Sequence, residues 1–205
     1  MPRFRIARTC VLAALLATWV MLPDAAAAQA EPRAGRDAAD PEPASMFDKG
    51  TWTLELNAGS YDDVFESDEK QHVATVGGGY FFADRHAFRI ELTGWDLDAK
   101  DGNDDTTALG GNLGLRFHFL EYERLSLFAE GAVGFYYANR KFPPGGTHFN
   151  FVSQGGLGAT FRVYDNVHLY GAARYVHASN ARIHGGDENP SVDAFGGYVG
   201  VLFTF

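Results

Sequence analysis

The chain has 205 residues, one cysteine and a formal net charge of −9. An acidic balance of this size lacks the basic face that nucleic acid requires, so no nucleic-acid partner is expected. A lone cysteine cannot close a disulfide within the chain, so hydrogen-bonded structure and packing must hold the fold.

The first thirty residues do not read as part of a fold. Arg3, Arg5 and Arg8 give a positive start, Val11 to Leu22 an apolar core, and Ala28-Gln29-Ala30 a small-x-small cleavage site before Glu31. The apolar run is too short, and wrongly flanked, for a transmembrane helix, so residues 1–30 are read as a cleaved signal peptide. Cys10 stands at the start of that run rather than after it, which argues against a lipoprotein. Cleavage removes three Arg and one Asp, leaving 14 basic against 25 acidic residues and a net charge of −11. Residues 31–49 carry Pro32, Pro41 and Pro43 and no aromatic residue before Phe47. They are expected to be a disordered periplasmic segment.

From Thr51 the hydrophobic pattern repeats with period two. It predicts eight strands, at roughly 51–60, 72–82, 86–97, 106–119, 124–138, 148–163, 166–180 and 192–205. Short turns are expected at Ala83-Asp84-Arg85, Glu121-Tyr122-Glu123 and Asp165-Asn166, and longer polar loops at 61–71, 98–105, 139–147 and 181–191. An even number of long strands with alternating short and long connections is the pattern of a bacterial outer-membrane barrel. A final Phe205 on an alternating strand is the usual ending of such a barrel. The fold expected for residues 50–205 is therefore all-β, an eight-stranded antiparallel transmembrane barrel with both ends periplasmic.

Parity assigns the faces. Leu125, Leu127, Ala129, Val133, Phe135 and Tyr137 share one side of the fifth strand, with Glu130 on the other. In the third strand Phe88, Ile90 and Leu92 oppose Arg89, Glu91 and Thr93. Glu55, Arg116, Arg162 and Arg174 also fall on the non-apolar side, which predicts an interior lattice of paired charges in a lumen just wide enough for side chains. The glycine runs Gly77-Gly78-Gly79, Gly110-Gly111 and Gly155-Gly156 are expected to ease bending, and are no phosphate loop, since no helix pattern follows them. Trp52, Tyr80, Trp95, Tyr136 and Tyr137 are read as interfacial or interior aromatics rather than a cofactor site, and no cofactor is expected.

Two segments near the end carry chemistry. The seventh strand places His177 and Ser179 on the face of Val167, Leu169 and Tyr175, opposite Arg174 and hence outward. The eighth places Asp193 on the outward face of Phe195, Val199 and Phe205. If the two strands start together at the periplasmic side, residue 177 falls opposite 193. Same-face neighbours at i and i+2 lie on the order of 7 Å apart. Ser179 then has a base within reach in His177, and Asp193 can orient that base, which is the logic of an acid-base-nucleophile triad. Asn180 and Asn189 supply donors suited to an oxyanion.

His177-Ala178-Ser179-Asn180-Ala181 followed by Asn189-Pro190-Ser191-Val192-Asp193 before the closing strand resembles the lipid A 3-O-deacylase, or acyloxyacyl hydrolase, family, as does Pro143-Pro144-Gly145-Gly146-Thr147-His148-Phe149-Asn150-Phe151. The resemblance in motif is concentrated in residues 143–205. It implies an eight-stranded outer-membrane barrel that hydrolyses the acyl ester at the 3 position of lipid A, with lipopolysaccharide of the outer leaflet as partner. It implies His177 as base, Ser179 as nucleophile, Asp193 as acid, and Asn189 with Asn180 near the oxyanion. The best-known members carry Glu at the acid position and commonly Gly where Ser191 stands. Tyr175, Phe195, Ala173 and Val199 would bed the acyl chain.

Two other readings remain at this point: a non-catalytic structural or binding barrel, and an esterase for another membrane lipid. The acidic stretches Asp62-Asp63, Glu66 to Glu69 and Asp98 to Asp105 read as solvated loops rather than cation sites, since Asp98 to Asp105 lacks the ligand spacing of a calcium loop. His184, Asp187 and Glu188 form a trio in one loop without paired metal-ligand spacing, and no metal is expected.

Overall fold

The computed structural model describes residues 45–65, 69–99, 105–183 and 190–205. Eight antiparallel strands close into a barrel in sequence order: β1 Trp52–Asp63, β2 Lys70–Ala83, β3 His86–Asp98, β4 Thr106–Tyr122, β5 Leu125–Phe142, β6 Thr147–Tyr164, β7 Val167–Ser179 and β8 Val192–Thr204. The seam is the β1–β8 pair, extended by Trp52 and Phe205, which exchange both backbone hydrogen bonds. Closure leaves no edge strand, so every span satisfies its backbone against two neighbours, as a lipid environment demands. This is the transmembrane barrel that period two predicts.

The end of the barrel with short turns connects β2 to β3, β4 to β5 and β6 to β7. Arg85 and Glu123 sit there with φ of 65° and 50°, the left-handed backbone that two-residue hairpin turns require. At the opposite end β5 continues to Phe142, and only residues 143–146 separate it from β6. The loop expected over 139–147 is thus shortened: β5 runs on through an irregularity between Tyr137 and Phe142, where His148 Nδ1 lies 2.9 Å from the Ala138 carbonyl and Asn150 donates to Phe142 O at 2.9 Å.

Outward side chains are apolar, as with Ile90, Leu113, Val133, Leu157 and Val199, all more than half exposed. The interior has three layers rather than the single charged lattice expected. Its middle layer is that lattice. Arg89 contacts Glu55 at 2.6 Å, Glu91 at 2.6 Å and Glu130 at 2.8 Å. Arg116 bridges Glu55 and Glu130, and Arg174 reaches Glu130 at 2.6 Å and Gln154 at 3.0 Å. Tyr198 donates to Glu130 at 2.8 Å. Three guanidinium groups face three carboxylates, so the buried charges cancel and each is held by several partners. The inner face of β2 passes this layer at Gly79, where a Cβ would stand 2.6 Å from Thr53 Oγ1, so glycine here clears space as well as easing curvature.

Above the lattice, toward the longer connections, Trp95, Leu97, Tyr136, Phe142, Val152, Val176 and Val192 pack together in a mainly apolar layer that also buries Glu69 and Gln71. Below it, Phe47 is fully buried among Phe81, Phe128, His118 and His168, its ring 4.0 Å from that of His118. A lead-in disordered as far as 49 therefore does not describe the chain from Ser45 onward. Ser45 donates to both carboxylate oxygens of Glu121 at 3.1 and 2.8 Å, Arg85 N donates to Phe47 O at 2.8 Å, and Lys49 N to Asp84 at 2.9 Å. The apolar side chain the composition left unexplained is a stopper for this mouth. Arg162, expected in the lattice, lies apart from it and donates to the Glu123 carbonyl in the neighbouring turn. Its strand has by then run past the charged layer.

Trp52 and Tyr80 meet on the outer face in a tilted contact, ring centroids 4.8 Å apart, and Tyr137 is exposed, whereas Trp95 and Tyr136 are buried inside. The aromatics thus divide between belt and interior by strand parity.

Candidate active site

The last hairpin pairs Val167 with Phe203 at one end and Ala178 with Val192 at the other, and in this register His177 stands directly opposite Asp193. Both point to the outer face. The His177 Nδ1 atom lies 2.7 Å from Asp193 Oδ1. Their side chains are 41% and 19% exposed, so the pair is reachable from outside the barrel. A carboxylate at Nδ1 favours the neutral tautomer protonated on that nitrogen, in which Nε2 carries the lone pair.

Ser179 ends β7 on the same outward face, two residues beyond His177. Across the β6–β7 ladder its partner is Phe151, while His177 is paired with Ser153. Among the described residues the Ser179 hydroxyl makes no hydrogen bond, to His177 or to any other group.

Asn180 has opposite parity and is buried. Its Oδ1 accepts from Arg182 N at 2.9 Å, and its carbonyl accepts from Ile183 N at 3.2 Å. Ala181 and Arg182 both adopt left-handed backbone, φ 53° and 61°, although neither is glycine. Two consecutive residues in that region are costly and persist because the Asn180 turn imposes them. The chain is thereby bent sharply at the residue following Ser179. Asn189 lies outside the described residues, as do His184, Asp187 and Glu188. Pro190 is described, and a Cβ on Gly146 would come within 3.3 Å of its ring, so the 143–146 turn packs against the segment that leads to Asp193.

Two neighbours escaped the sequence reading. Tyr175, taken there as an apolar wall, donates its hydroxyl to Asp193 Oδ1 at 2.6 Å. Ser191 Oγ also approaches Asp193 Oδ2, at 3.5 Å. The signal for Tyr175 was present in its i−2 spacing from His177, but only cross-strand register shows that the phenol reaches the acid. The start of β8 is anchored independently by Val64 N, which donates to the Asp193 carbonyl at 2.8 Å.

A groove of about 850 Å³ lies against β3 to β6 and includes Ser153, the cross-strand neighbour of His177. Leu113, Leu115, Ala129, Gly131 and Val133 line it. Among the described residues no three His, Cys, Asp or Glu side chains converge to hold a metal ion.

Solved outer-membrane barrels share the architecture. Neisserial surface protein A aligns with a TM-score of 0.55 and 15% identity, over 80% of this chain and 100% of its own. OprG from Pseudomonas aeruginosa aligns with a TM-score of 0.52 and 14% identity, over 79% of this chain and 99% of its own. At such identity the likeness speaks for fold alone. No curated protein matches the chain. The profile of the lipid A 3-O-deacylase (PagL) family matches residues 76–201, which is more than half of the sequence and takes in both segments of the site. The chain belongs to the lipid A 3-O-deacylase (PagL) family.

Proposed function

We propose that the protein is an outer-membrane serine esterase that removes the ester-linked acyl chain at the 3 position of lipid A. In this reading residues 1–30 direct export and are removed, residues 50–205 form the catalytic barrel, and the substrate is lipid A of lipopolysaccharide in the outer leaflet. The observation that carries it is the 2.7 Å pairing of His177 with Asp193 on the outer face of the barrel, with Ser179 as same-face neighbour, in a chain of this family.

The chemistry follows from the groups present. His177 Nε2 accepts the Ser179 proton as Oγ attacks the ester carbonyl, and Asp193 steadies the imidazolium that forms. Negative charge gathers on the former carbonyl oxygen, for which Asn180 and Asn189 are the candidate donors. Collapse breaks the bond to the sugar oxygen, which takes the proton back from His177. Water, deprotonated by the same imidazole, then frees Ser179 and releases the fatty acid. Tyr175, Phe195, Ala173 and Val199, together with the groove beside Ser153, offer the apolar surface for the departing chain.

Mass spectrometry of lipid A from cells that make the protein tests this. The expected spectrum lacks one ester-linked acyl chain, and Ser179→Ala restores the full set while the barrel still assembles. Unchanged acylation with intact wild-type protein in the membrane would sink the lipid A reading, and phospholipid products in its place would redirect it to another lipid.

A further inference from the structure

We propose that Tyr175 is a positioning residue of this site: its phenol holds the Asp193 carboxylate against His177. The inference rests on the esterase reading for its catalytic consequence, and on geometry alone for the contact. Two short hydrogen bonds converge on one oxygen, Tyr175 Oη to Asp193 Oδ1 at 2.6 Å and His177 Nδ1 to the same atom at 2.7 Å. Among the described residues the other oxygen has only the 3.5 Å approach of Ser191. Tyr175 pairs directly with Phe195, one same-face step from Asp193, so the phenol crosses the ladder on the diagonal. A diagonal neighbour at such a distance is within the span of a tyrosine but not of a shorter side chain.

Burial does not force this contact. The Tyr175 side chain lies on the outer face with 41% of its surface exposed, so the hydroxyl has other directions open to it. A carboxylate facing the membrane surface is costly unless donors surround it, and the two short contacts to Asp193 both come from the neighbouring strand β7. Tyr175 supplies that donor and limits rotation of the acid about its side-chain torsions. Deprived of the phenol, Asp193 retains His177 on the shared oxygen but loses the constraint that keeps this oxygen aimed at Nδ1. A poorly aimed acid neither fixes the tautomer of the base nor steadies its cation.

Tyr175→Phe isolates the hydroxyl, because the ring and its apolar contacts stay. With purified, folded barrel and lipid A in detergent, kcat is expected to fall about tenfold, the size of one hydrogen bond to a charged group, with KM within about twofold of wild type. Because Tyr175 acts through Asp193, the same change made in an Asp193→Ala background should cost less than about twofold more. An unchanged kcat, or a full additional loss in that background, overturns the proposal. A second readout does not need activity. The lifetime of the His177 Nδ1 proton against exchange with water, followed by NMR in the folded barrel, should fall about threefold or more on Tyr175→Phe, because its hydrogen bond to the carboxylate is no longer held in line. No change, or a rise, overturns the proposal even if lipid A proves not to be the substrate. A wild-type barrel inactive on lipid A, or a fully active Ser179→Ala, sinks the esterase reading alone.

Discussion

The barrel carries two sets of charged and polar side chains, and they are built on opposite terms. Inside, Glu55, Glu91 and Glu130 meet Arg89, Arg116 and Arg174 with almost no exposure. Glu130 alone takes contacts from three arginines and from Tyr198. Outside, Asp193 has one imidazole, one phenol and a distant serine hydroxyl, on the face that meets the membrane. The interior charges are buried and engage one another. Among the described residues, the exterior set leaves His177 Nε2 and the Ser179 hydroxyl without a hydrogen bond. Redundant pairing suits a support, whereas incomplete pairing on an accessible face leaves groups open for the chemistry proposed.

This contrast is open to direct attack, beginning where the effect should be greatest. His177→Ala should lower the deacylation rate of purified barrel by about 10⁴-fold or more, since base and nucleophile act as a unit. Its unfolding midpoint in urea should remain that of wild type, because the exposed imidazole contributes little to packing. A retained rate would break the assignment of chemistry to the outer set.

Glu130→Ala tests the opposite half. It leaves Arg89, Arg116 and Arg174 sharing two carboxylates, and loss of a partner from a buried ion cluster typically costs about 3–5 kcal/mol. Urea titration of the refolded barrel should show that loss, whereas the rate per folded molecule should stay within a fewfold of wild type. A large drop in rate with undiminished stability would mean that the interior participates in the reaction.

Phe47→Ala sharpens the comparison at the other mouth of the barrel. Removing a buried aromatic ring should cost about 3 kcal/mol, read from the same titration. Deacylation should be unaffected, since Phe47 packs with Phe81, His118 and His168 at the end with short turns, whereas β7 delivers Ser179 to the opposite end.

Much of the site was legible because strand parity is a rigid rule. Once Arg174 marks the inside of β7, His177 and Ser179 must lie outside, and the hairpin drawn from its periplasmic turn puts residue 177 opposite 193, the register found. The same reasoning failed for Tyr175, since an aromatic residue on a lipid-facing strand looks apolar until a cross-strand diagonal is known. It failed also for Arg162, because parity says which face a residue takes but not the depth at which its strand crosses the charged layer.

The sequence by itself determined the number of strands, their faces and the pairing of His177 with Asp193, all consequences of a two-residue period joined by short turns. Only the tertiary structure decided how the interior divides into three layers, that Phe47 folds back into the barrel mouth, and that a phenol completes the shell of the acid. Those depend on contacts between residues far apart in the chain, such as Glu55 with Arg116 or Ser45 with Glu121. Closing the barrel fixes which of them can meet, and no local pattern records the curvature and stagger that closure imposes.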